Sequence, residues 1–316
     1  MSTVYVRFPL RSAAPRERAP LLERLLFGAV EPARSGGRYP RGRHWRDAAL
    51  ALLVGSGVRV PPLAPLGLLA EAGADAVTSA CAWVCFATPV HCAATMTSVR
   101  MAPAGILSLA RTEAAELVRD FDRVFHDSQH RLVAGRSGTL YMAFAAPLEV
   151  HTHDPGDALD QDVWDFLPAG ADAAALRAFM SEIELWLFDH AINRGREARA
   201  LAPITGLWLW GGGAPLIDLP PLAGWTAGTD LFFASLPLSD GASGVVVAAD
   251  APGTAGWHTA EARWLQPALR DLGAGRLAAI ELSAGERCYR VERHWRWHLW
   301  RRRIWRRAAP WWECFE

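Results

Sequence analysis

Between residues 202 and 215 the chain reads APITGLWLWGGGAP. Residues 207–210 are large and apolar with no polar alternation, the pattern of a strand covered on both faces. Burying Trp208 and Trp210 would remove roughly 150 to 250 Å² each from water. That is a gross gain of about 4 to 6 kcal/mol apiece, as an upper bound. Gly211, Gly212 and Gly213 follow, where the backbone can turn tightly or approach another group closely. Their successive N–H groups could also cradle an anion. The stretch is a core strand first, and its glycine end is a candidate contact for a small anionic ligand.

A chain of 316 residues with 51% hydrophobic content can bury a sizeable core as one large α/β domain or two smaller ones. The five cysteines (Cys81, Cys85, Cys92, Cys288 and Cys314) form no CxxC pair and no zinc-spaced cluster, so reduced thiols in a cytoplasmic protein are expected. No sustained apolar stretch predicts a signal peptide or a membrane span. All 33 basic residues are Arg. Without Lys there is no Walker-A loop, no kinase-type ATP site and no lysine Schiff base, and no cofactor is expected. Net charge is zero, yet residues 287–307 carry nine Arg and one Glu, leaving 24 basic against 32 acidic residues elsewhere. The chain therefore has an acidic body and a basic end.

Taken in order, residues 4–8 read as a strand and 16–27 as a helix, an α/β opening. A loop over 28–46 and a helix over 44–54 follow. Strands at 80–87 and 97–101, an amphipathic helix at 112–125 and a hairpin from 130–134 to 139–144 predict a ββαββ unit. Asp172 is placed to cap a helix reaching about His190. Beyond the central run, strands are expected at 245–249 and 276–282, parallel and joined by a helix over 259–272 that is irregular at Pro267. From Tyr289 to Leu299 apolar and polar residues alternate, the pattern of an edge strand.

Two candidates for chemistry stand apart from the glycines. His151-Thr152-His153-Asp154 has the spacing to offer two imidazoles and a carboxylate to one ion, although Pro155 stands where a metallo-β-lactamase pattern needs its Asp. The Arg/Trp ending, with Arg290, Arg293, Arg296, Arg301 and Arg302, suits single-stranded nucleic acid, where Arg pairs phosphates and Trp stacks on bases. It also suits a membrane surface or an acidic protein partner, and the alternation itself favours an edge strand whose Trp parity packs on the sheet while Arg faces solvent or the acidic body of the chain. Cys81 and Cys85 read as small core residues, and no GxSxG elbow is present.

Several segments together resemble the RpfE-type regulatory proteins, a bacterial family often labelled phosphoglycerate mutase. They are Thr88-Pro89-Val90-His91, the run DVWDFLPAG over 162–170, Glu182 with His190 and Asn193, Arg196-Glu197-Ala198-Arg199, LWLWGGG over 207–213, and the Trp/Arg ending. That family is in turn distantly similar to archaeal cofactor-independent phosphoglycerate mutases. The resemblance implies an alkaline-phosphatase-like, mostly parallel α/β sheet with a smaller inserted α/β (ββαββα) unit. Residues 1–77 and 203–316 would form the main domain and 78–202 the insertion, with 207–213 re-entering the main sheet. It also singles out His91, Glu182, His190, Asn193 and Arg196 as ligand-binding candidates. The mutases hold two divalent ions with an Asp after the first strand and late Asp/His clusters. Here the first strand ends in Phe8-Pro9 and the late strand leads to Ser283-Ala284-Gly285-Glu286-Arg287. The expectation is a regulatory or binding protein that lacks the two-metal centre. The alternatives are an active phosphotransferase with relocated ligands at His151, His153 and Asp154, and nucleic-acid binding by the Arg/Trp ending.

Overall fold

The computed structural model describes residues 2–7, 45–55, 57–72, 81–126, 129–228, 230–247, 261–284 and 287–292. In chain order they form β1 (Thr3–Arg7), α1 (Trp45–Val54), α2 (Leu63–Ala72), β2 (Trp83–Ala94), β3 (Val99–Ile106), α3 (Arg111–Val124), β4 (His130–Ala134) and β5 (Leu140–Phe144). Next come β6 (Val150–His151), α4 (Pro155–Ala158), a 3-10 turn (Val163–Phe166), β7 (Ala169–Gly170), α5 (Ala173–Phe188), α6 (Ala191–Glu197) and β8 (Gly206–Gly213). The last described elements are β9 (Ala223–Gly228), α7 (Leu231–Ser235), β10 (Ser239–Val247), a π-turn (Glu261–Leu265), α8 (Gln266–Ala274), β11 (Ala279–Ala284) and β12 (Arg287–Glu292). The helix expected over 16–27 lies outside the described residues. Two compact units result, one from Met1–Val60 with Pro220–Glu316 and one from Pro61–Leu219.

The first unit is built on a mostly parallel sheet in the order β12-β11-β1-β10-β9. β1 lies parallel between β10 and β11, β9 is parallel to β10, and β12 runs antiparallel along β11. Val4, Tyr5 and Val6 are all buried, as a central parallel strand requires on both faces. α1 packs on β10 and β9, and α8 on β11. The irregularity expected at Pro267 is the π-turn, after which Pro267 sits in the first turn of α8, where its missing N–H breaks no intrahelical bond. In β12 the apolar parity, Tyr289 and Val291, faces inward as its alternation implies.

The second unit carries an antiparallel sheet in which β2 is the hub. One edge of β2 pairs with β8, and the other pairs first with β5 and then with β3, with β4 beyond β5. Pro89 sits inside this 12-residue strand. Its carbonyl accepts from Leu107 N, on the side where β5 has ended and β3 begins, so the missing N–H falls in a gap of the ladder. Cys85, Ala87, Leu207 and Leu209 face one core with Leu117, Phe121, Phe179 and Ile183 from α3 and α5. α2 covers β2 and β8. There the Phe86 ring lies tilted between Tyr141 and Trp210, with ring centroids 5.3 and 4.7 Å away.

Two expectations are corrected by this arrangement. β8 is the buried strand that its composition predicts, but it joins the antiparallel sheet through β2 and does not re-enter the parallel one. A continuous apolar run reports burial on both faces and carries no information about strand direction. The contact boundaries accordingly fall after Val60 and after Leu219, not at 77 and 202. α2 was not anticipated, because Pro61, Pro62 and Pro65 disguise it. These prolines precede the helix or stand in its first turn, where a proline costs no intrahelical hydrogen bond.

Candidate functional site

The residues singled out on the helical side of the second unit converge, and they do so on one another. His190 caps α6: its Nδ1 accepts from Ile192 N at 3.2 Å, so in the neutral ring Nε2 carries the proton, 3.4 Å from Asp120 Oδ2. Burial lowers the pKa of His190, and the charge of Asp120 opposes this only in part. Asn193 Nδ2 donates to Leu187 O (2.9 Å) and Ile204 O (2.8 Å), while its Oδ1 accepts from Ile204 N (2.7 Å). Arg196 Nε donates to Ala202 O, and its Nη1 reaches both oxygens of Glu113 at 3.1 and 3.2 Å. Burial disfavours the Glu113 charge, but the Ala110 amide, Arg199 and Arg196 outweigh it and lower that pKa. Spaced three apart, His190, Asn193 and Arg196 tie α5, α6 and α3 to the segment that enters β8.

The remaining candidates are dispersed. His91 Nδ1 donates to Pro203 O at 3.0 Å. Glu182 is exposed on α5. Gly211, at φ +66°, meets Phe86, which a Cβ would approach to 3.1 Å. A Cβ at Gly212 would enter the Trp83 ring, and one at Gly213 would come within 2.5 Å of Pro62. These glycines are required by side chains packed against the backbone, and the Gly211 amide donates to Thr152 Oγ1. His151 and His153 rings stand 4.9 Å apart, but Asp154 Oδ1 caps α4 through Gly156 N. Among the described residues, no group of three or more His, Cys, Asp or Glu is placed to hold a metal ion. Arg290 is bonded to Glu281 (2.5 Å) and Glu292 (2.9 Å); Arg293, Arg296, Arg301 and Arg302 lie outside the described residues.

A second polar cluster lies at the carboxyl ends of the parallel strands, where ligands of open α/β sheets are bound. After β1 the chain moves toward β9, and after β11 it moves the opposite way to β12, so the two strand ends form a switch point. Arg7 and Ser283 are register partners there, and Arg7 Nη1 donates to Ser283 Oγ at 2.9 Å. The Arg7 guanidinium lies 4.8 Å from the ring centre of Trp45, the first residue of α1, and Arg46 lies 4.4 Å from the same ring. Arg46 Nη1 meets Asp230 Oδ2 at 2.7 Å, and Asp230 Oδ1 caps α7 through Phe233 N. The edge thus gathers two guanidiniums and the start of a helix beside the fully buried Ser283, a cationic set that favours an anion. Sequence reading identified the two strands but not this pair, since Arg7 and Ser283 become neighbours only through the parallel register.

No family model and no curated protein matches the sequence. Two solved structures are similar over most of their length. The cofactor-independent phosphoglycerate mutase from Thermoplasma acidophilum DSM 1728 is 10% identical, with 92% of this chain and 90% of that chain covered and a TM-score of 0.33. The PH0037 protein from Pyrococcus horikoshii is 12% identical, with 91% and 84% covered and a TM-score of 0.38. At these values the likeness is distant. No helix among the described residues is long and apolar enough to cross a membrane.

Proposed function

We propose that this chain is a regulatory or binding protein on a phosphoglycerate-mutase-like scaffold, taking a small phosphorylated or carboxylated anion at the carboxyl edge of its parallel sheet. The observation that carries the reading is the Arg7–Ser283 pair at the switch point, with the Trp45 ring beneath Arg7. The Arg7 guanidinium supplies directed donors to phosphate or carboxylate oxygens, and the fully buried Ser283 hydroxyl holds it in place. Two-metal phosphoryl transfer instead needs several carboxylates and imidazoles around its ions. The described side chains of this edge include one carboxylate, Asp230, which already serves Arg46 and the Phe233 amide. The described donors of this edge favour an anion over a metal pair, and the reading is binding without phosphoryl transfer.

Calorimetric titration with inorganic phosphate and with 3-phosphoglycerate tests this. Binding is expected, and Arg7→Gln should weaken it at least about tenfold, or about 1.4 kcal/mol. Affinity unchanged by Arg7→Gln would remove the site. Interconversion of phosphoglycerates that a chelator abolishes would overturn the reading itself.

A further inference from the structure

α5 is apolar on two opposite faces. At about 100° per residue, Leu176, Phe179, Met180, Ile183 and Leu187 share an arc that faces the core. Ala174, Ala178, Ser181, Leu185 and Phe188 fall within about 80° of arc on the far side. All five are exposed, Leu185 by 77% and Phe188 by 82%. A solvent-facing helix stripe with no charge over four turns, ending in two large apolar side chains, is the pattern of a surface that meets a partner.

The order of sizes along the stripe selects the partner. Measured from Ser181, the small residues stand three and seven positions before it and the large ones four and seven after it. Two copies of α5 laid antiparallel about a two-fold axis at Ser181 would therefore set Leu185 of each against Ala178 of the other, and Phe188 against Ala174. A two-fold interface requires such self-complementarity. The charges bordering the stripe agree. Arg177 and Glu184 lie on the same flank, four before and three after Ser181, so the operation that matches large to small brings each Arg177 beside the other copy's Glu184. Burial already raises the pKa of Glu184, and a cation beside it would favour its charged form. From this size and charge complementarity we infer that the outer face of α5 is a homodimer interface in which two copies pair antiparallel across Ser181.

One helix pair of this length is a small interface, below about 1,200 Å², so association in the micromolar range is expected. Sedimentation velocity of the full chain over a range of concentrations should show a monomer–dimer equilibrium. Leu185→Glu should abolish it while leaving the circular dichroism spectrum unchanged. Arg177→Glu should weaken it, and the added exchange Glu184→Arg should restore it, which a merely structural role of Arg177 at Pro168 O would not do. Ser181→Cys should form a disulfide-linked dimer under mild oxidation that the parent chain does not form. A chain that stays monomeric at all concentrations would overturn the inference, as would a dimer indifferent to Leu185→Glu and not captured through Ser181→Cys.

Discussion

The two sheets hold their polar residues to different ends. In the antiparallel unit, Asn193 makes three hydrogen bonds within the chain, and Arg196 is held by Ala202 O and a Glu113 that Arg199 and the Ala110 amide also reach. Such a network fixes a fold, because each group lost strands another in a low-dielectric interior. At the carboxyl edge of the parallel unit, Arg7, Arg46 and Ser283 gather donors where strand ends diverge. Polar residues drawn together by several helices are fold determinants here, and those drawn together by strand ends are candidates for a ligand.

The contrast breaks first at Asn193. Asn193→Ala removes the partner of the Ile204 carbonyl and amide, while Leu187 O keeps its bond from the His190 amide; at about 1–3 kcal/mol for each group left unsatisfied, a loss of about 2 kcal/mol or more is expected in urea unfolding. A loss under about 1 kcal/mol would mean that the network is dispensable to the fold. Gly212→Ala comes next. Its Cβ would enter the Trp83 ring, and overpacking of this kind costs about 1–3 kcal/mol. If Gly212→Ala instead left stability intact and abolished anion binding, the glycine run would be the ligand site and the carboxyl edge would not. Arg7→Gln should do the reverse, weakening phosphate binding about tenfold while shifting stability by under about 1 kcal/mol.

The smallest effect is that of pH. His190 is lowered below its ordinary value of 6.5, so its neutral ring contributes stability that is fully present above pH 6.5 and is lost as pH falls through the lower folded value. Protonation would also place an N–H on Nδ1, opposite the Ile192 amide that it now accepts. Stability of the parent chain should therefore fall from pH 7.5 to about 5.5 by more than that of His190→Gln. Equal declines, measured by urea unfolding at both pH values, would show that His190 carries no such linkage.

Much of the local structure was legible. The hairpin at 130–144, the helices that became α1, α3 and α5, and the irregularity at Pro267 follow from periodicity and turn chemistry, which act over neighbouring residues. Asp172 shows the limit. It stands at the start of α5 as expected, yet its carboxylate accepts from Glu149 N and makes no cap bond to its own helix. A capping side chain can be recognised in sequence, but a distant backbone donor that outcompetes the helix cannot.

By itself the sequence determined that residues 207–210 are buried, because four large apolar side chains in a row leave no face for water. It also determined that Lys chemistry is absent from this protein. Only the tertiary structure decided which sheet receives that strand, because pairing depends on the chain that arrives beside it, here β2. It likewise decided that Gly211, Gly212 and Gly213 make room for Phe86, Trp83 and Pro62, and that Arg7 meets Ser283 across 276 positions of sequence. Burial follows from a residue's own chemistry, while neighbourhood follows from the whole chain's path.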